Sequence, residues 1–194
     1  MTKKILCTLL SSLMVLLFAS FSFAQKQSEP PKVGAVLPEM ELTKPKDTAC
    51  LQYLGLSSGG SVFKIDQLRT KIVIIEIFSM YCPYCQAEAP NINKLYQLLE
   101  SKPELKDKIK IIGIGAGNTQ FEVATFKKKY QVAFPLIPDE DFKLHKILGE
   151  PRTPYFIVVK LNDKKQQEVI YSKLGALENI DLFLARIIRL AGLQ

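Results

Sequence analysis

The C-P-Y-C sequence at residues 82–85 constrains this chain more than any other feature, because of what stands on either side of it. An apolar, β-branched run at residues 72–78 precedes it by three residues, and a helical pattern follows directly from Gln86. A strand that ends here and leads into a helix places the first sulfur at the helix N-terminus. Unpaired N–H groups and the helix dipole favour a thiolate at that position. The context predicts a dithiol/disulfide redox centre formed by Cys82 and Cys85.

Two other uses of the motif fit the sequence less well. A structural zinc site needs two further Cys or His ligands, and the remaining candidates are Cys7, Cys50 and the single His145. Cys7 lies in a segment that we expect to be removed, so the other two would have to converge from distant parts of the chain. A permanent disulfide is disfavoured because so short a loop restrains the unfolded chain little. We therefore expect no metal, and no cofactor besides the redox-active disulfide.

The N-terminus has the pattern of a secretory signal peptide. Two lysines precede an apolar stretch at residues 5–18, and small residues follow up to Ala24. This predicts a signal at residues 1–24 and a periplasmic or otherwise exported protein in an oxidising compartment. A cycling cysteine pair there depends on an upstream electron donor or acceptor. An uncleaved membrane anchor is the alternative, since residues 5–23 are nearly long enough to span a bilayer of ~30 Å.

The rest of the chain has a length that fits one domain. Residues 25–38 are polar and contain prolines, which predicts a flexible lead-in, and residues 39–194 are expected to form a domain with its own core. The formal charge is +7, which becomes +5 when the two N-terminal lysines are subtracted. The other lysines are scattered along the chain, and no long basic stripe carries regularly spaced aromatic residues. Nucleic-acid binding is therefore not expected.

The hydrophobic pattern predicts an α/β domain with a mixed central sheet flanked by helices. Strands are expected where β-branched and apolar residues cluster, at residues 61–65, 72–78, 110–115, 155–159 and 167–171. Helices are expected where apolar residues recur at helical spacing, at residues 83–101, 119–130, 139–148 and 177–190.

With its elements in this order, the chain resembles the thioredoxin-like superfamily, and within it the exported TlpA/ResA-like thiol-disulfide oxidoreductases. The likeness covers about residues 34–190. Glu88 and Pro90 match a family pattern of an acid three residues, and a proline five residues, after the second cysteine. Residues 119–148 resemble the family's helical insertion between the central βαβ unit and the C-terminal ββα unit. The resemblance implies a thioredoxin-like fold and disulfide exchange with protein partners, for instance in cytochrome c maturation.

Two departures from the family pattern and two alternative functions stay open. Tyr81 stands where most members have Trp, and the central dipeptide of the motif is typical of glutaredoxins, which leaves the direction of electron flow undecided. An oxidase or isomerase of folding proteins is therefore the second enzymatic hypothesis. A Sco-like copper carrier would use both cysteines and a distant histidine, here His145, although that family usually has three residues between the cysteines. Otherwise His145 is a packed or surface helix residue, and Cys50 is a buried thiol or a partner in an intermolecular bridge.

The two cysteines are expected to have different roles. Cys82 begins the helix and should be the attacking thiolate, whereas the resemblance implies that Cys85 is buried and resolves the mixed disulfide. Glu76 is one candidate acceptor for the proton of Cys85, because desolvation in an apolar strand raises the pKa of a carboxyl. Pairing with a lysine near the sheet edge is the alternative for Glu76. Glu88 lies on the same helical face as Cys85 and is the second candidate, or else a solvated carboxylate.

The resemblance also implies a substrate groove beside the sulfurs. A cis peptide bond is expected at Thr153-Pro154, where a strand begins at once, rather than at Pro151. The backbone beside that bond is expected to pair with an extended substrate segment, as an added strand would. Tyr81 and Tyr84 are expected to form the apolar walls of the groove.

Overall fold

A mixed five-stranded sheet lies at the centre of the computed structural model, which describes residues 29–162, 166–177 and 179–193. Two further strands form a separate antiparallel pair. The strands of the described residues are β1 (Leu42–Thr43), β2 (Val62–Phe63), β3 (Ile72–Phe78), β4 (Ile109–Ala116), β5 (Leu136–Asp139), β6 (Tyr155–Leu161) and β7 (Gln167–Leu174). The helices are α1 (Thr48–Leu54), α2 (Pro83–Glu100), α3 (Pro103–Lys106), α4 (Gln120–Lys129), α5 (Lys143–Ile147) and α6 (Ile180–Ala191).

The strand order in the sheet is β5-β4-β3-β6-β7. Strands β3, β4 and β5 run parallel, whereas β6 is antiparallel to β3 and to β7. Strand β3 is the central strand of the five and is hydrogen-bonded on both sides. The motif that follows it therefore starts at the carboxyl end of β3, in the middle of the sheet. The predicted mixed sheet flanked by helices is confirmed.

Strand β3 is buried on both faces, as its continuous apolar run predicts. Alternate side chains point to opposite faces of a strand. Ile74 and Phe78 pack in one core cluster with Cys85 and Ala89 of α2 and with residues of α6. Val73, Ile75 and Ile77 pack in the other cluster, with residues of α1 and α5. Glu76 alternates with the first set, so its side chain lies on the face that α2 covers.

The insertion contains the two predicted helices and one strand that the sequence pattern did not predict. The expected helix at residues 139–148 is confined to α5, because Asp139 ends strand β5 at the sheet edge. Pro138 has no N–H to donate, and such a residue is tolerated in an edge strand. Helix α1 was not predicted either, and the expected strand at residues 61–65 is reduced to β2 followed by a turn of 3-10 helix at Ile65–Gln67.

Part of the predicted lead-in belongs to the folded domain. Gly34 and Leu37 donate backbone hydrogen bonds to Val169 and Gln167 of β7, both at 2.8 Å, and Val169 donates one to Ala35 at 2.9 Å. The Leu37 side chain is only 2% exposed. Residues 34–37 therefore cover the outer edge of β7, which corrects the expectation of a flexible segment for this stretch. The predicted signal at residues 1–24 lies outside the described residues.

None of the helices in the described ranges is both long and apolar enough to cross a membrane.

Candidate redox site

Cys82 is the N-cap residue of α2, and its side chain is partly exposed. Its Sγ lies 3.4 Å from the carbonyl oxygen of Thr153, in the loop before β6. Partial burial opposes ionisation, but hydrogen bonds from the side chain of Thr153, from Cys85 and from the backbone amide of Tyr84 outweigh it, so the pKa of Cys82 is lowered. The expected position of Cys82 at the start of the helix is confirmed.

Cys85 lies one turn into α2 and is fully buried. Burial raises the pKa of this thiol far above its ordinary value, and the nearby Glu76 and Cys82 raise it further. Donors at Ser79 and Thr153 act in the opposite direction without overcoming the burial. Both cysteines are free thiols in this structure, so the structure is that of the dithiol state. The two thiols therefore differ in exposure and in acidity.

Glu76 is 2% exposed, in the middle of the central strand. Within the described part of the chain it has no hydrogen-bond or ion-pair partner, so the alternative of a lysine pair at the sheet edge is wrong. Desolvation, with smaller contributions from Glu88 and Cys82, raises the pKa of Glu76 to about 8. At neutral pH the carboxyl is therefore mostly protonated and close to its titration point.

Glu88 is also buried, at 1% exposure, which excludes the alternative of a solvated helix carboxylate. Its Oε1 accepts a hydrogen bond from the Leu177 amide at 3.0 Å, and its Oε2 accepts one from Asn91 Nδ2 at 3.2 Å. Burial raises the pKa of Glu88 despite these donors. The two acids named from the sequence thus differ in environment, because Glu88 has two donors and Glu76 has none.

The loop before β6 completes the surroundings of the sulfurs. The Thr153-Pro154 peptide bond is cis, as predicted, whereas the Glu150-Pro151 bond is trans. Tyr84 is 76% exposed and Tyr81 is 66% exposed, so both rings are available beside the partly exposed Cys82. The Tyr81 hydroxyl donates to the Glu122 carboxylate of α4.

Three contacts to the segment before Cys82 were not predicted. The Met80 amide donates to Asn118 Oδ1 at 2.8 Å, and the Met80 carbonyl accepts from Gln86 Nε2 at 2.8 Å. Glu122 closes a capping box at the start of α4 with Thr119 and also accepts from the Tyr81 hydroxyl. The T-x-x-E pattern at residues 119–122 was a usable signal for that box. A lone asparagine such as Asn118 carries no comparable signal.

Cys50, the third cysteine of the described residues, and the single histidine lie in other contacts. The Cys50 Sγ lies 3.5 Å from Asp47 Oδ2 and 3.7 Å from Lys127 Nζ, at a cavity of about 800 Å³. The His145 Nε2 lies 2.9 Å from the Pro151 carbonyl oxygen, and the His145 side chain is partly buried. Among the described residues, no group of three or more His, Cys, Asp or Glu side chains is placed to hold a metal ion.

The sheet order and a C-x-x-C motif at the start of α2, facing a cis proline, define a protein of the thioredoxin-like class. The sequence profile of the Redoxin family matches residues 32–182. The chain therefore belongs to the Redoxin family. Among solved structures, it is similar to a putative thiol:disulfide interchange protein DsbE from Chlorobium tepidum, with a TM-score of 0.63 and 12% identity over 84% of this chain and 99% of that one. At this identity the likeness shows the fold.

Sequence relatives carry the name thiol-disulfide oxidoreductase ResA. The protein from Bacillus thuringiensis subsp. konkukian (strain 97-27) is 27% identical over 111 residues, which are 57% of this chain and 61% of that protein. The one from Geobacillus kaustophilus (strain HTA426) is 24% identical over 167 residues, 86% of this chain and 84% of that protein. The first alignment thus spans less than two thirds of the relative's length. The predicted ResA-like resemblance is confirmed.

Proposed function

We propose that this protein is a thiol-disulfide oxidoreductase that exchanges disulfides with partner proteins through Cys82 and Cys85. The observation that carries the proposal is the contrast between the two thiols. Cys82 is partly exposed with a lowered pKa, and Cys85 is buried with a raised pKa. An accessible thiolate beside a protected thiol suits attack followed by resolution. The cysteine pair carries the two electrons itself, so the reaction needs no cofactor.

The first step is attack by the Cys82 thiolate on one sulfur of a partner disulfide. A bond forms between Cys82 Sγ and that sulfur, the partner's sulfur–sulfur bond breaks, and the partner's second sulfur leaves as a thiolate. The donors around Cys82, at Thr153 and the amide of Tyr84, stabilise the thiolate before attack. The product is a mixed disulfide, in which Cys85 is still a thiol.

The second step needs a base, because the pKa of Cys85 is far above neutral. Glu76 is our candidate acceptor for the proton, since its own pKa of about 8 lies near a working pH. At pH 7 most Glu76 side chains are protonated, and the ionised minority can accept the proton. The Cys85 thiolate then attacks Cys82 Sγ, the protein's own disulfide forms, and the partner's first sulfur leaves reduced. Glu88 is the second candidate acceptor.

Recognition is assigned to the surface around Cys82. We expect an extended segment of the partner to lie against Thr153 and Pro154, with Tyr81 and Tyr84 on its apolar sides. The exposure of both tyrosines supports this, because large apolar side chains that stay in water beside a reactive sulfur are available for contact.

We further propose that residues 1–24 direct export, so that the domain works in the periplasm or another oxidising compartment. In the direction that the resemblance to the TlpA/ResA-like family implies, partner disulfides are reduced and an upstream electron donor regenerates the dithiol. An oxidase or isomerase of folding proteins would use the same site in the other direction. A membrane anchor remains tied to the case in which the N-terminal segment is not cleaved.

The direct test is equilibration of the purified protein with mixtures of reduced and oxidised glutathione. We expect a single two-electron transition in which Cys82 and Cys85 form a disulfide and Cys50 stays a free thiol. Mass spectrometry of alkylated peptides follows this transition. A potential near about −270 mV supports a reductant and one near about −120 mV an oxidant. The Cys82→Ser protein is the control and should show no such transition. If no disulfide forms between Cys82 and Cys85 at any ratio, the proposal fails.

A further inference from the structure

Asn118, in the loop after β4, and Glu122, in the first turn of α4, reach across to the turn that leads into Cys82. We propose that Asn118 and Glu122 are positioning residues, which hold Met80 and Tyr81 and thereby keep the Cys82 sulfur beside its hydrogen-bond donors. The inference rests on the proposed disulfide exchange, because it assigns a purpose to the position of that sulfur. Neither residue touches the sulfur, so both act through the turn.

The turn is fixed by hydrogen bonds to both backbone polar groups of Met80. The Met80 amide donates to Asn118 Oδ1 and the Met80 carbonyl accepts from Gln86 Nε2, each at 2.8 Å. The Cys82 amide donates to the Ser79 carbonyl at 3.1 Å, which closes the turn. With both polar groups of Met80 bound, the chain enters α2 along one path, and Cys82 follows two residues later.

Asn118 itself is held rigidly enough to serve as an anchor. Its amide donates to the Gly115 carbonyl at 3.0 Å, and its carbonyl accepts from the Asp139 amide at 3.2 Å. The side chain is 0% exposed. Strands β4 and β5 therefore set the position of Asn118 Oδ1, and this position is passed to the turn.

The choice of asparagine at this position has a physical cost that points to a purpose. The Asn118 Nδ2 is buried and has no hydrogen-bond partner in the described part of the chain. A buried donor without a partner is unfavourable, and an apolar side chain would avoid it. An apolar side chain would also leave the Met80 amide unpaired. An aspartate would accept the same bond but would bury a charge. Asparagine supplies a neutral acceptor.

Glu122 holds the next residue of the turn. Its Oε2 accepts from the Thr119 amide at 2.7 Å and from the Thr119 hydroxyl at 3.0 Å, which orients the carboxylate. Its Oε1 accepts from the Tyr81 hydroxyl, and that hydrogen bond is the main reason that the pKa of Glu122 is lowered. A phenylalanine at position 81 would fill the same space but would have no group to donate.

The test measures the reactivity of Cys82 rather than turnover. Alkylation by iodoacetamide is followed across pH by mass spectrometry that resolves Cys82 from the other thiols. For Asn118→Ala we expect the midpoint of the pH profile to rise by about half a unit to one unit, with alkylation below the midpoint about three- to tenfold slower. The other titratable groups that act on Cys82 are Cys85 and Glu76, and both are unchanged in this variant.

Four further variants separate positioning from charge. Tyr81→Phe and Glu122→Ala should each slow alkylation of Cys82, and the double variant should be no slower than the slower single one, because they remove the same contact. Glu122→Gln keeps one oxygen to accept from the Thr119 amide and places an NH2 group that can donate to the Tyr81 hydroxyl, so it should restore the parent rate. A purely electrostatic role predicts the opposite sign for Glu122→Ala, since loss of a nearby negative charge favours a thiolate.

Thr125→Ala is the matched control, because among the described residues the Thr125 hydroxyl bonds only to the Phe121 carbonyl of the same helix. Circular dichroism checks folding, and if Asn118→Ala does not fold, the outcome for Tyr81→Phe decides. Parent-like pH profiles in Tyr81→Phe and Glu122→Ala would overturn the inference. If the parent protein itself exchanges no disulfide with glutathione, the proposed function fails instead, and the two failures are distinguishable.

Discussion

The Cys82 sulfur lies 3.4 Å from the carbonyl oxygen of Thr153, a residue 71 positions later in the chain. The contact joins the start of α2 to the loop before β6, so one side of the sulfur is covered by backbone. A partner disulfide must approach from the remaining open side, where Tyr84 is exposed. The groove and the reactive atom are therefore parts of one arrangement rather than separate features.

The first prediction concerns the division of labour between the cysteines. Cys82→Ser should abolish disulfide reduction with the fold intact, because the accessible thiolate is lost. Cys85→Ser should accumulate mixed disulfides, because the first step proceeds and the second cannot. Insulin reduction and non-reducing gels measure both effects. If alkylation at neutral pH labels Cys85 faster than Cys82, the roles are assigned wrongly.

The second prediction follows from the buried carboxyl of Glu76. Its pKa is about 8 in the folded protein and near 4.5 in the unfolded chain, so between these values the folded state binds the extra proton. Stability should therefore fall as pH rises from about 5 to about 8, by up to about 1.4 kcal/mol per pH unit from this group alone. Glu76→Gln, an isosteric neutral side chain, should flatten this slope. Urea unfolding at several pH values measures it.

The third prediction uses Glu88→Gln. This variant tests the dependence of stability on pH, as Glu76→Gln does, and also the step in which Cys85 loses its proton. We expect Glu76→Gln to slow resolution of the mixed disulfide more than Glu88→Gln does, because Glu88 is already engaged by the Leu177 amide and by Asn91. Stopped-flow measurement of the decay of a mixed disulfide compares the two variants. A larger loss for Glu88→Gln would transfer the role of base to Glu88.

The fourth prediction separates recognition from chemistry. Tyr84→Ala should raise KM for a protein substrate about fivefold, for a loss of about 1 kcal/mol of contact energy, with kcat little changed. Reduction of hydroxyethyl disulfide, which is too small to use the groove, should keep its parent rate. Leu182→Ala is the control, since Leu182 is similarly exposed, at 71%, on α6. Equal effects of the two substitutions on KM would argue against the proposed groove.

The fifth prediction concerns stability at the edge of the sheet. Leu37→Ala should lower the free energy of unfolding by about 2–4 kcal/mol, because it removes a buried side chain from the core. Val36→Ala, one residue earlier and 70% exposed, should change it by less than about 0.5 kcal/mol. Chemical denaturation of both variants measures the difference. Similar small effects would mean that residues 34–37 contribute little to the domain.

The sequence was most informative where a single strong pattern determines the local structure. The run at residues 72–78 is apolar throughout and matches β3 residue for residue, and Cys82 was placed correctly because the motif lies between a strand and a helix. The burial of Glu88 was left open, since helical spacing alone does not tell which face is covered. The buried Glu88 carboxylate accepts a hydrogen bond from the Leu177 amide, which is 89 residues away in the chain and which helical spacing cannot reveal.

Two of the elements that were not predicted have identifiable physical reasons. Strand β5 contains Pro138 and is only four residues long, so its pairing with β4 decides its conformation more than its composition does. Helix α1 has seven residues with two buried side chains, Cys50 and Leu54, which is too short for a clear periodicity. The anchor at Asn118 was missed because a tertiary contact to one backbone amide leaves no pattern in the sequence.

The pairing of residues 34–37 with β7 has a consequence for when the edge of the sheet is closed during synthesis. These residues come near the start of the described chain, whereas β7 is its last strand. During synthesis residues 34–37 are made before any strand of the sheet. They can therefore pair with the outer edge of β7 as soon as β7 emerges. A finished molecule shows its neighbours no open strand along that stretch of edge, which protects it from edge-to-edge association.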